Sequence, residues 1–481
     1  MEVPTACPFL YRASMITASP FRYLLLVLSV GALLAPPALR AGSQAPTAFA
    51  FVGVNVVPMD KETVLAAQTV VVENGRIVAI GPEATTAIPA GAQRIDSRGK
   101  YLMPGIADMH AHLPPGDGSA GDAAAIHMQL YLANGVTTVR GMMGQPSNLV
   151  LRDRVATGKV QGPSIVAGSP PLNGENAATA DAAEKTVTEF HQAGFDLVKV
   201  WEGLSPDSYA AIVATARKLG IPIGGHVTAS VGLDRALAAG QSSIEHLDGY
   251  LQAAVSKDSP APPHGSQLVL GPVQKYVDEA QMKVLAERTR KAGVFNTPTL
   301  TLFKVVVSED PVETFLAWPE MKYISPGLRS QFSAQKSGTY GIPAPTAERK
   351  RYLELRNTMV RALAAAGAGL LVGPDSPQMF LVPGFATHRE IQSLVDAGLT
   401  PYQALAAATK APAEYLGKQK EFGTVEIGKR ADLLLVDGNP LQDVANARKR
   451  SGVMLRGQWL PAAELDAMLT SIANRHQTPS K

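Results

Sequence analysis

Short apolar segments alternate with longer segments rich in Ala, Leu, Glu and Lys along residues 105–410. The apolar segments are typical of buried strands, and the segments between them are typical of helices. Eight such units predict an α/β fold of the (β/α)8 TIM barrel type, with a doubly wound open sheet as the alternative. The strand candidates are Ile106–His112, Thr137–Arg140, Ser164–Ala167, Leu197–Val200, Ile223–His226, Ser243–His246, Phe295–Leu302 and Gly369–Gly373.

Helix candidates follow most of these strands, and two long segments interrupt the alternation. Residues Tyr250–Gln281 and Phe303–Thr346 are rich in Pro, Ser and Gly. They are predicted to be loops over the mouth of the barrel, where this fold carries its variable parts. The helix candidates are Ala123–Ala133, Ala182–Ala193, Pro206–Lys218, Val231–Ala239, Glu279–Ala292 and Glu348–Ala366.

Both ends of the chain have the pattern of short strands. Residues 48–104 include Asn74-Gly75, a dipeptide typical of a β-hairpin turn. Residues 411–462 contain the strand candidates Gly423–Ile427, Ala431–Val436 and Gly452–Leu455. The two pieces are predicted to pair into one small β-sandwich domain built from both chain ends. A C-terminal helix or tail is expected over residues 463–481.

Residues 1–41 are predicted to be a secretory signal peptide. Arg12 and Arg22 precede an apolar run at residues 23–35, and small residues follow around Ala38 to Gly42. The run is short for a membrane span, and an uncleaved anchor is the alternative. The protein is therefore expected to be secreted or periplasmic, with no stable membrane insertion after the signal is removed. Met15 is an alternative start that would leave a more typical signal.

Composition narrows the possible functions. The 481 residues carry a net charge of +3, with 46% hydrophobic and 18% charged residues. These values describe a globular chain and give no reason to expect a nucleic acid partner. Cys7 is the only cysteine and would leave with the signal. Any metal ion must then be held by His, Asp, Glu or Lys side chains.

The first barrel strand candidate ends in His110-Ala-His112. Residues two apart on a strand point to the same face, with Cα atoms roughly 6.5–7 Å apart. Both imidazoles could therefore hold one divalent metal ion, although such a pair alone is a weak signal. Asp108 shares their face, where its carboxylate could orient a ligating histidine.

Other ionisable residues fall where strands of a barrel would end. His226 and His246 follow the fifth and sixth strand candidates, and Asp375 follows the eighth. Each histidine alone would more often be a core residue, and Asp375 alone would be a turn residue in Gly373-Pro-Asp375-Ser. Because active sites of barrels lie at the C-terminal ends of the strands, we expect these side chains to converge.

Lys199 occupies the fourth strand candidate, in the alternating segment Asp196-Leu-Val-Lys-Val-Trp201. Val198 and Val200 would face the helices, so Lys199 would point into the barrel, where an ammonium group is costly. A buried lysine is easily neutralised and can react with carbon dioxide to give a carbamate that bridges two metals. The alternative is a lysine that extends to the rim or pairs with an acid such as Glu202.

With these residues at its strand ends, the sequence resembles the amidohydrolase superfamily of metal-dependent hydrolases. Within it, the chain is similar to the branch of imidazolonepropionase-like proteins and Xaa-Pro or Xaa-Arg dipeptidases, over residues 48–460. The motifs that carry the resemblance are Met103-Pro-Gly-Ile-Ala-Asp-Met-His-Ala-His112, Ala133-Asn-Gly-Val-Thr-Thr-Val-Arg140, Val198-Lys-Val200, Gly225-His226, Ile244-Glu-His246, Gly373-Pro-Asp375, His388-Arg-Glu390, Asp396-Ala-Gly-Leu-Thr-Pro-Tyr-Gln-Ala-Leu405 and Gly423-Thr-Val-Glu-Ile-Gly-Lys-Arg-Ala-Asp-Leu-Leu-Leu-Val-Asp437.

The resemblance implies a binuclear site, usually of Zn²⁺. His110 and His112 would bind the buried ion together with Asp375. A carboxylated Lys199 would bridge both ions. Two further ligands, His226 and His246, would bind the more exposed ion. Two departures from the family pattern are Gly141, where relatives often carry an acid, and Gly373-Pro374, where Gly-Thr is more usual.

The implied reaction is hydrolysis of an amide or peptide bond in a small substrate, a dipeptide or an N-acyl amino acid. A metal-bridging hydroxide would attack, and Asp375 would act as general base and then acid. Arg140 and Tyr250 are candidates for holding a substrate carboxylate or carbonyl, or else are rim residues. The alternatives are a lactone, carbamate or cyclic amide substrate, and an inactive barrel that binds a small solute. The resemblance is also compatible with a homo-oligomer.

Overall fold

A computed structural model describes residues 48–260, 268–338 and 344–477 of the chain. The predicted signal peptide lies outside these residues. Among the residues that are described, no helix is both long enough and apolar enough to cross a membrane.

Strands occur in two groups, at the chain ends and in the middle. They are β1 (Ala48–Val56), β2 (Leu65–Glu73), β3 (Arg76–Pro82), β4 (Gln93–Asp96), β5 (Tyr101–Pro104), β6 (Ile106–Ala111), β7 (Val136–Gly141), β8 (Ser164–Ala167), β9 (Val198–Val200), β10 (Ile223–Gly225), β11 (Ser243–Glu245), β12 (Phe295–Thr297), β13 (Leu433–Val436), β14 (Arg450–Leu455) and β15 (Gln458–Pro461).

Helices follow nearly every strand of the middle group. They are α1 (Ala123–Ala133), α2 (Pro146–Ala156), α3 (Ala180–Ala193), α4 (Pro206–Leu219), α5 (Gly232–Ala239), α6 (Tyr250–Ala253), α7 (Glu279–Ala292), α8 (Leu300–Val307), α9 (Val312–Leu316), α10 (Pro326–Ser337), α11 (Thr346–Ala366), α12 (Phe385–Asp396), α13 (Pro401–Ala406), α14 (Lys410–Tyr415) and α15 (Ala462–Gln477). Short 3₁₀ helices cover Pro272–Tyr276, Pro319–Tyr323 and Val444–Arg448.

The two chain ends share one mixed sheet of eight strands. Its order is β15-β14-β13-β5-β1-β2-β3, and β4 pairs with β1. The β2–β3 hairpin turns at Asn74-Gly75, where both residues have positive φ, as the sequence predicts. The antiparallel pair of β5 with β13 joins the N-terminal and C-terminal pieces.

The strand predicted over Gly423–Ile427 is wrong. This segment forms turns, and the backbone N–H of Val425 bonds to the carbonyl of Pro58 instead of to a neighbouring strand. Apolar composition alone suggested a strand here, but Val425 serves to pack the segment onto the sheet's core.

The middle strands form two parallel sheets, β6-β7-β8 and β9-β10-β11-β12. Single parallel bridges continue the pairing beyond them: Gly168 with Leu197, Asn296 with Leu370, and Ala111 with Ser376. Helices α3 and α4 cover the outer face of β9 and β10, where Val198, Val200 and Ile223 are buried. The strand–helix order is therefore that of a TIM-barrel-type α/β fold.

Two strand predictions need correction. The segment Phe295–Leu302 divides into β12 and the start of α8, because Pro298 lacks an N–H for the ladder and Thr299 turns to a φ of +49°. The segment 369–373 forms no regular strand, although Leu371 N–H bonds to Asn296 and Met109 N–H bonds to Val372.

The second predicted mouth loop, Phe303–Thr346, is largely helical in its described part. It contains the end of α8, then α9, a 3₁₀ turn and α10. The Ser and Pro residues that suggested a loop instead begin helices. Ser325 caps α10 by accepting from Leu328 N–H, and Pro326 occupies its first turn.

Candidate metal centre

Four histidines and one aspartate meet at the C-terminal ends of the parallel strands. His112 Nε2 lies 3.0 Å from Asp375 Oδ1, and His110 Nε2 lies 3.4 Å from the same oxygen. His246 Nε2 lies 3.8 Å from Asp375 Oδ2, and the His226 ring stacks on that of His246 with centroids 4.8 Å apart. The ligand atoms of His110, His112 and Asp375 lie within 4.8 Å of one another, close enough to hold a metal ion.

Lys199 is completely buried beside this cluster. Its Nζ has no hydrogen-bond partner among the described residues and lies 5.4 Å from the centre of the Trp201 ring. Burial lowers the pKa of Lys199 to about 8, which makes the neutral amine accessible. An extended side chain that reaches solvent at the rim is excluded, because none of the residue is exposed.

Three of the histidines have Nδ1 within hydrogen-bond distance of an oxygen. His110 Nδ1 lies 2.8 Å from Glu245 Oε2, and His226 Nδ1 lies 2.8 Å from Asp248 Oδ2. His246 Nδ1 lies 2.9 Å from Thr299 Oγ1. When Nδ1 carries the proton and donates it to these oxygens, Nε2 offers its lone pair to a metal.

Protonation in this cluster suits a cation. Burial lowers the pKa of His110 to about 4 and that of His226 to about 3, so both rings are neutral near pH 7. Burial also raises the pKa of Asp248 well above its usual range, a shift that a cation at His226 Nε2 would oppose. Although burial alone would raise the pKa of Asp375, the neighbouring histidines hold it well below its usual range. Neutral imidazoles and an ionised carboxylate are the ligand forms that divalent metals bind.

Arg140, a candidate for holding a substrate, is bonded to protein groups. Its guanidinium is completely buried and donates to Glu245 Oε1 at 2.8 Å, Ser243 Oγ at 2.9 Å and the carbonyl of Met109 at 2.6 Å. Although burial alone would raise the pKa of Glu245, Arg140 and His110 hold it well below its usual range. Arg140 therefore balances the charge of the carboxylate that contacts His110.

Tyr250 also has a different position from the one predicted. It is completely buried on α6, and its hydroxyl lies 2.8 Å from Thr289 Oγ1 of α7. Its polar end therefore joins two helices.

Asp108 holds the backbone of its strand and not a histidine ring. One oxygen accepts from the backbone N–H of His110 at 3.1 Å, and the other accepts from Thr387 Oγ1 at 2.7 Å. Burial raises its pKa to about 7. The orienting carboxylates are instead Glu245 and Asp248, which sequence reasoning missed. Their signal was present, because they lie on either side of His246 in Glu245-His-Leu-Asp248.

The backbone at the centre is unusual in two ways. His246, Asp375 and Thr299 all have φ between +49° and +67°, a region that such residues rarely adopt and that is often found at functional sites. Gly373 passes so close to β6 that a Cβ there would lie 2.5 Å from the backbone nitrogen of His110. A glycine before Pro374 therefore lets the Asp375 segment approach the histidine pair.

Trp201 and Glu202 lie beside His226 where β9 ends. The Trp201 ring centre is 4.4 Å from that of His226, and both Trp201 and Glu202 are partly exposed. Ligand atoms of Glu202, His226 and Asp248 lie within 4.8 Å of one another. These two side chains are positioned to line the approach to the centre.

Comparison with known proteins agrees with this geometry. Residues 101–460 match the amidohydrolase family. The chain is 24% identical over 389 residues to imidazolonepropionase from Mycolicibacterium smegmatis, covering 78% of this chain and 85% of that enzyme.

Solved structures have the same fold. A prolidase candidate from Bifidobacterium longum is 26% identical, with a TM-score of 0.65 over 89% of this chain and 99% of that one. A Xaa-Pro dipeptidase with methionine bound in its active site is 18% identical, with a TM-score of 0.62 over 86% of this chain and 100% of that one.

Proposed function

This chain belongs to the amidohydrolase family and is a metal-dependent hydrolase acting on carbon–nitrogen bonds, and from that premise we propose that it hydrolyses the amide or peptide bond of a small substrate. The proposed substrates are dipeptides or N-acyl amino acids. The proposed cofactors are two divalent ions, Zn²⁺ by preference, held in the cluster around Asp375.

One observation carries the proposal: the rings of His110, His112 and His246 direct Nε2 towards Asp375, next to a buried lysine whose Nζ has no hydrogen-bond partner in the described chain. His110, His112 and Asp375 would hold one ion. His226 and His246 would hold the other. This donor set has nitrogen and oxygen ligands and no sulfur, which suits zinc.

Lys199 would join the two ions as an N6-carboxylysine. Its neutral amine adds to carbon dioxide, a C–N bond forms, one proton leaves, and the resulting carbamate has two oxygens. The lowered pKa and the lack of a hydrogen-bond partner for Nζ both support this modification. Without this modification, Lys199 would bring no negatively charged group to the two proposed metal ions.

The mechanism assigns the proton transfers to Asp375. Bound divalent ions supply two effects, a lowered pKa of water and polarisation of the scissile carbonyl. Because its pKa is held low, Asp375 starts ionised and can take the proton of the attacking water. It then gives that proton to the leaving nitrogen as the C–N bond breaks. Glu245 and Asp248 keep the imidazoles fixed during both steps.

We further propose that the two parallel sheets form one closed (β/α)8 barrel. Three bridges support closure. Gly168–Leu197 joins the end of β8 to the start of β9, while Asn296–Leu370 and Ala111–Ser376 join β12 to β6 through the segment 369–376. In that arrangement the histidines and Lys199 lie at or near the C-terminal ends of their strands, and Asp375 follows the segment 369–373, at the end where barrel enzymes carry their active sites.

The likeness to the prolidase candidate from B. longum favours a dipeptide substrate. Its sequence identity to this chain is 26%, against 18% for the Xaa-Pro dipeptidase, and the match covers 99% of the prolidase candidate. A cyclic amide is the second candidate, since the relative from M. smegmatis is named for an imidazolone. We also propose that the enzyme works outside the cytoplasm, on the basis of the signal-like residues 1–41.

The test is a substrate screen on zinc-loaded protein. The panel contains Xaa-Pro and other dipeptides, N-acyl amino acids, an imidazolone-type cyclic amide, a carbamate and a lactone. We expect turnover of at least one dipeptide or N-acyl amino acid and about two zinc ions per chain. Turnover of the cyclic amide alone would support the second candidate. A protein with full metal content and no turnover of any class would support a solute-binding barrel.

A further inference from the structure

Thr299 begins helix α8 in an unusual way. It occupies the N-cap position, where a threonine hydroxyl normally accepts a hydrogen bond from the first turn of its own helix. Here it makes no such bond, and its φ is +49°, in the left-handed region that β-branched residues rarely adopt. Its Oγ1 is turned instead towards His246 Nδ1, at 2.9 Å.

Glu390, from helix α12, supplies the missing cap. One of its carboxylate oxygens accepts from the backbone N–H of Leu300 at 2.7 Å, and the other accepts from that of Thr301 at 2.7 Å. Glu390 is completely buried. A carboxylate at a helix N-terminus makes charge-assisted hydrogen bonds and interacts favourably with the helix dipole. Glu390 therefore accepts the hydrogen bonds of the first turn in place of the Thr299 hydroxyl.

One short segment therefore contacts both the backbone and the ring of His246. Its backbone N–H bonds to the carbonyl of Thr297 at 2.8 Å, and its Nδ1 contacts Thr299. Thr297 is the last residue of β12 and Thr299 directly precedes α8, so only Pro298 separates the two contacts. The ring orientation of His246 depends on this segment keeping its strained form.

We propose that Glu390 is a positioning residue for His246 and acts through Thr299. By capping α8 from a distant helix, Glu390 leaves the Thr299 hydroxyl available to orient the imidazole. This inference rests on the proposed function, since it assumes that His246 Nε2 binds a metal ion. It also gives a role to His388-Arg-Glu390, a motif without one in the hydrolytic mechanism.

Zinc affinity of the purified protein tests the proposal, measured by competition with a chromophoric chelator. Thr299→Val removes the hydroxyl at nearly constant volume and is expected to weaken one of the two ions on the order of 10- to 100-fold. Thr299→Ser keeps the hydroxyl and should bind zinc like the unmodified protein. Thr409→Val is the matched control: it removes a buried threonine hydroxyl that donates to the carbonyl of Leu405 at 2.7 Å, and it should leave zinc affinity unchanged.

A double-mutant cycle separates positioning from mere stability. Glu390→Gln keeps the size of the side chain but replaces one acceptor oxygen with a donor, so it should weaken zinc on the order of tenfold. In the Thr299→Val background, the same change should cause no further loss of zinc affinity while still lowering the urea midpoint of the metal-free protein. If Glu390→Gln does not fold, Glu390→Asp, which shortens the reach, replaces it with the same expectation.

Several results would overturn the inference. Independent, multiplying losses in the double variant would make Glu390 a purely structural residue, and so would equal losses for Thr299→Val and Thr409→Val. Unchanged zinc affinity in Thr299→Val would also refute it while leaving the proposed function intact. Only an unmodified protein that binds no zinc would remove the proposed function together with the inference.

Discussion

Breaking the buried ion pair between Arg140 and Glu245 is expected to be one of the most damaging single changes in the chain. Both side chains are completely buried, and their closest atoms are 2.8 Å apart. Arg140→Met removes the cation and leaves the Glu245 carboxylate with Ser243 Oγ at 2.6 Å and His110 Nδ1 at 2.8 Å. Removing one partner of a buried pair typically costs about 3–5 kcal/mol, so we expect a loss in that range.

Removing both charges should cost less than removing one. In Arg140→Met/Glu245→Gln no uncompensated charge remains, and the new amide oxygen can still accept from Ser243 or His110. The residual loss comes from neutral acceptors such as the Met109 carbonyl, which leaves about 1–3 kcal/mol. The double variant should also bind zinc more weakly than the unmodified protein, because the orienting acceptor of His110 has lost its charge.

Urea unfolding of the metal-free variants, followed by circular dichroism, measures these differences. Arg288→Met is a suitable control, since Arg288 pairs with Asp234 at 2.8 Å but the two side chains keep 42% and 76% exposure. That change should cost less than about 1 kcal/mol. The reasoning fails if Arg140→Met costs no more than this control, or if the double variant is less stable than either single variant.

Four other predictions concern the site and its surroundings. Lys199→Ala should hold clearly fewer than two zinc ions in elemental analysis, because the bridging group is lost. Asp375→Asn should keep much of its metal and lose most of its rate. Asp432→Asn, which changes a buried aspartate directly before β13, should keep both. Gly373→Ala should cost about 1–3 kcal/mol and weaken zinc, since its Cβ would meet the His110 backbone at 2.5 Å. Burial lowers the pKa of His127 to about 4, so the protein should lose stability as the pH falls from 6.5 towards 4, because the unfolded chain binds the proton first. Urea titrations over this pH range should show that His127→Gln removes about 3 kcal/mol of this pH dependence.

Local sequence signals located the helices well because caps act over a single turn. Helices α1 and α7 have the predicted bounds, and each begins at an aspartate, Asp122 or Asp278, whose side chain accepts from its first turn. Glycine in the left-handed region ends α7 at Gly293. These features need no knowledge of the rest of the chain.

Signals of the same kind gave wrong results where tertiary contacts decide the structure. Ser325-Pro326 is equally compatible with a loop and with a helix start, and the choice depends on whether the following turn can bury Phe332. Likewise, the apolar segment Phe295–Leu302 has strand composition, but its last residues begin α8. There the carboxylate of Glu390, about 90 positions later, accepts hydrogen bonds from the N–H groups of Leu300 and Thr301. Composition in a local window contains no information about such a partner.

The same distinction explains which site residues the sequence could supply. A candidate metal-ligating histidine is recognisable from the sequence because it lies at the end of a strand candidate and because few residue types bind metal ions. A residue that orients it has no fixed type, and this centre uses a glutamate, an aspartate and a threonine for one task. Arg140 was noticed because it is a charged residue at a strand end, yet its guanidinium turns inward to balance Glu245. The direction of a side chain, and so its role, is set by which buried charge needs a partner, and only the assembled strands determine that.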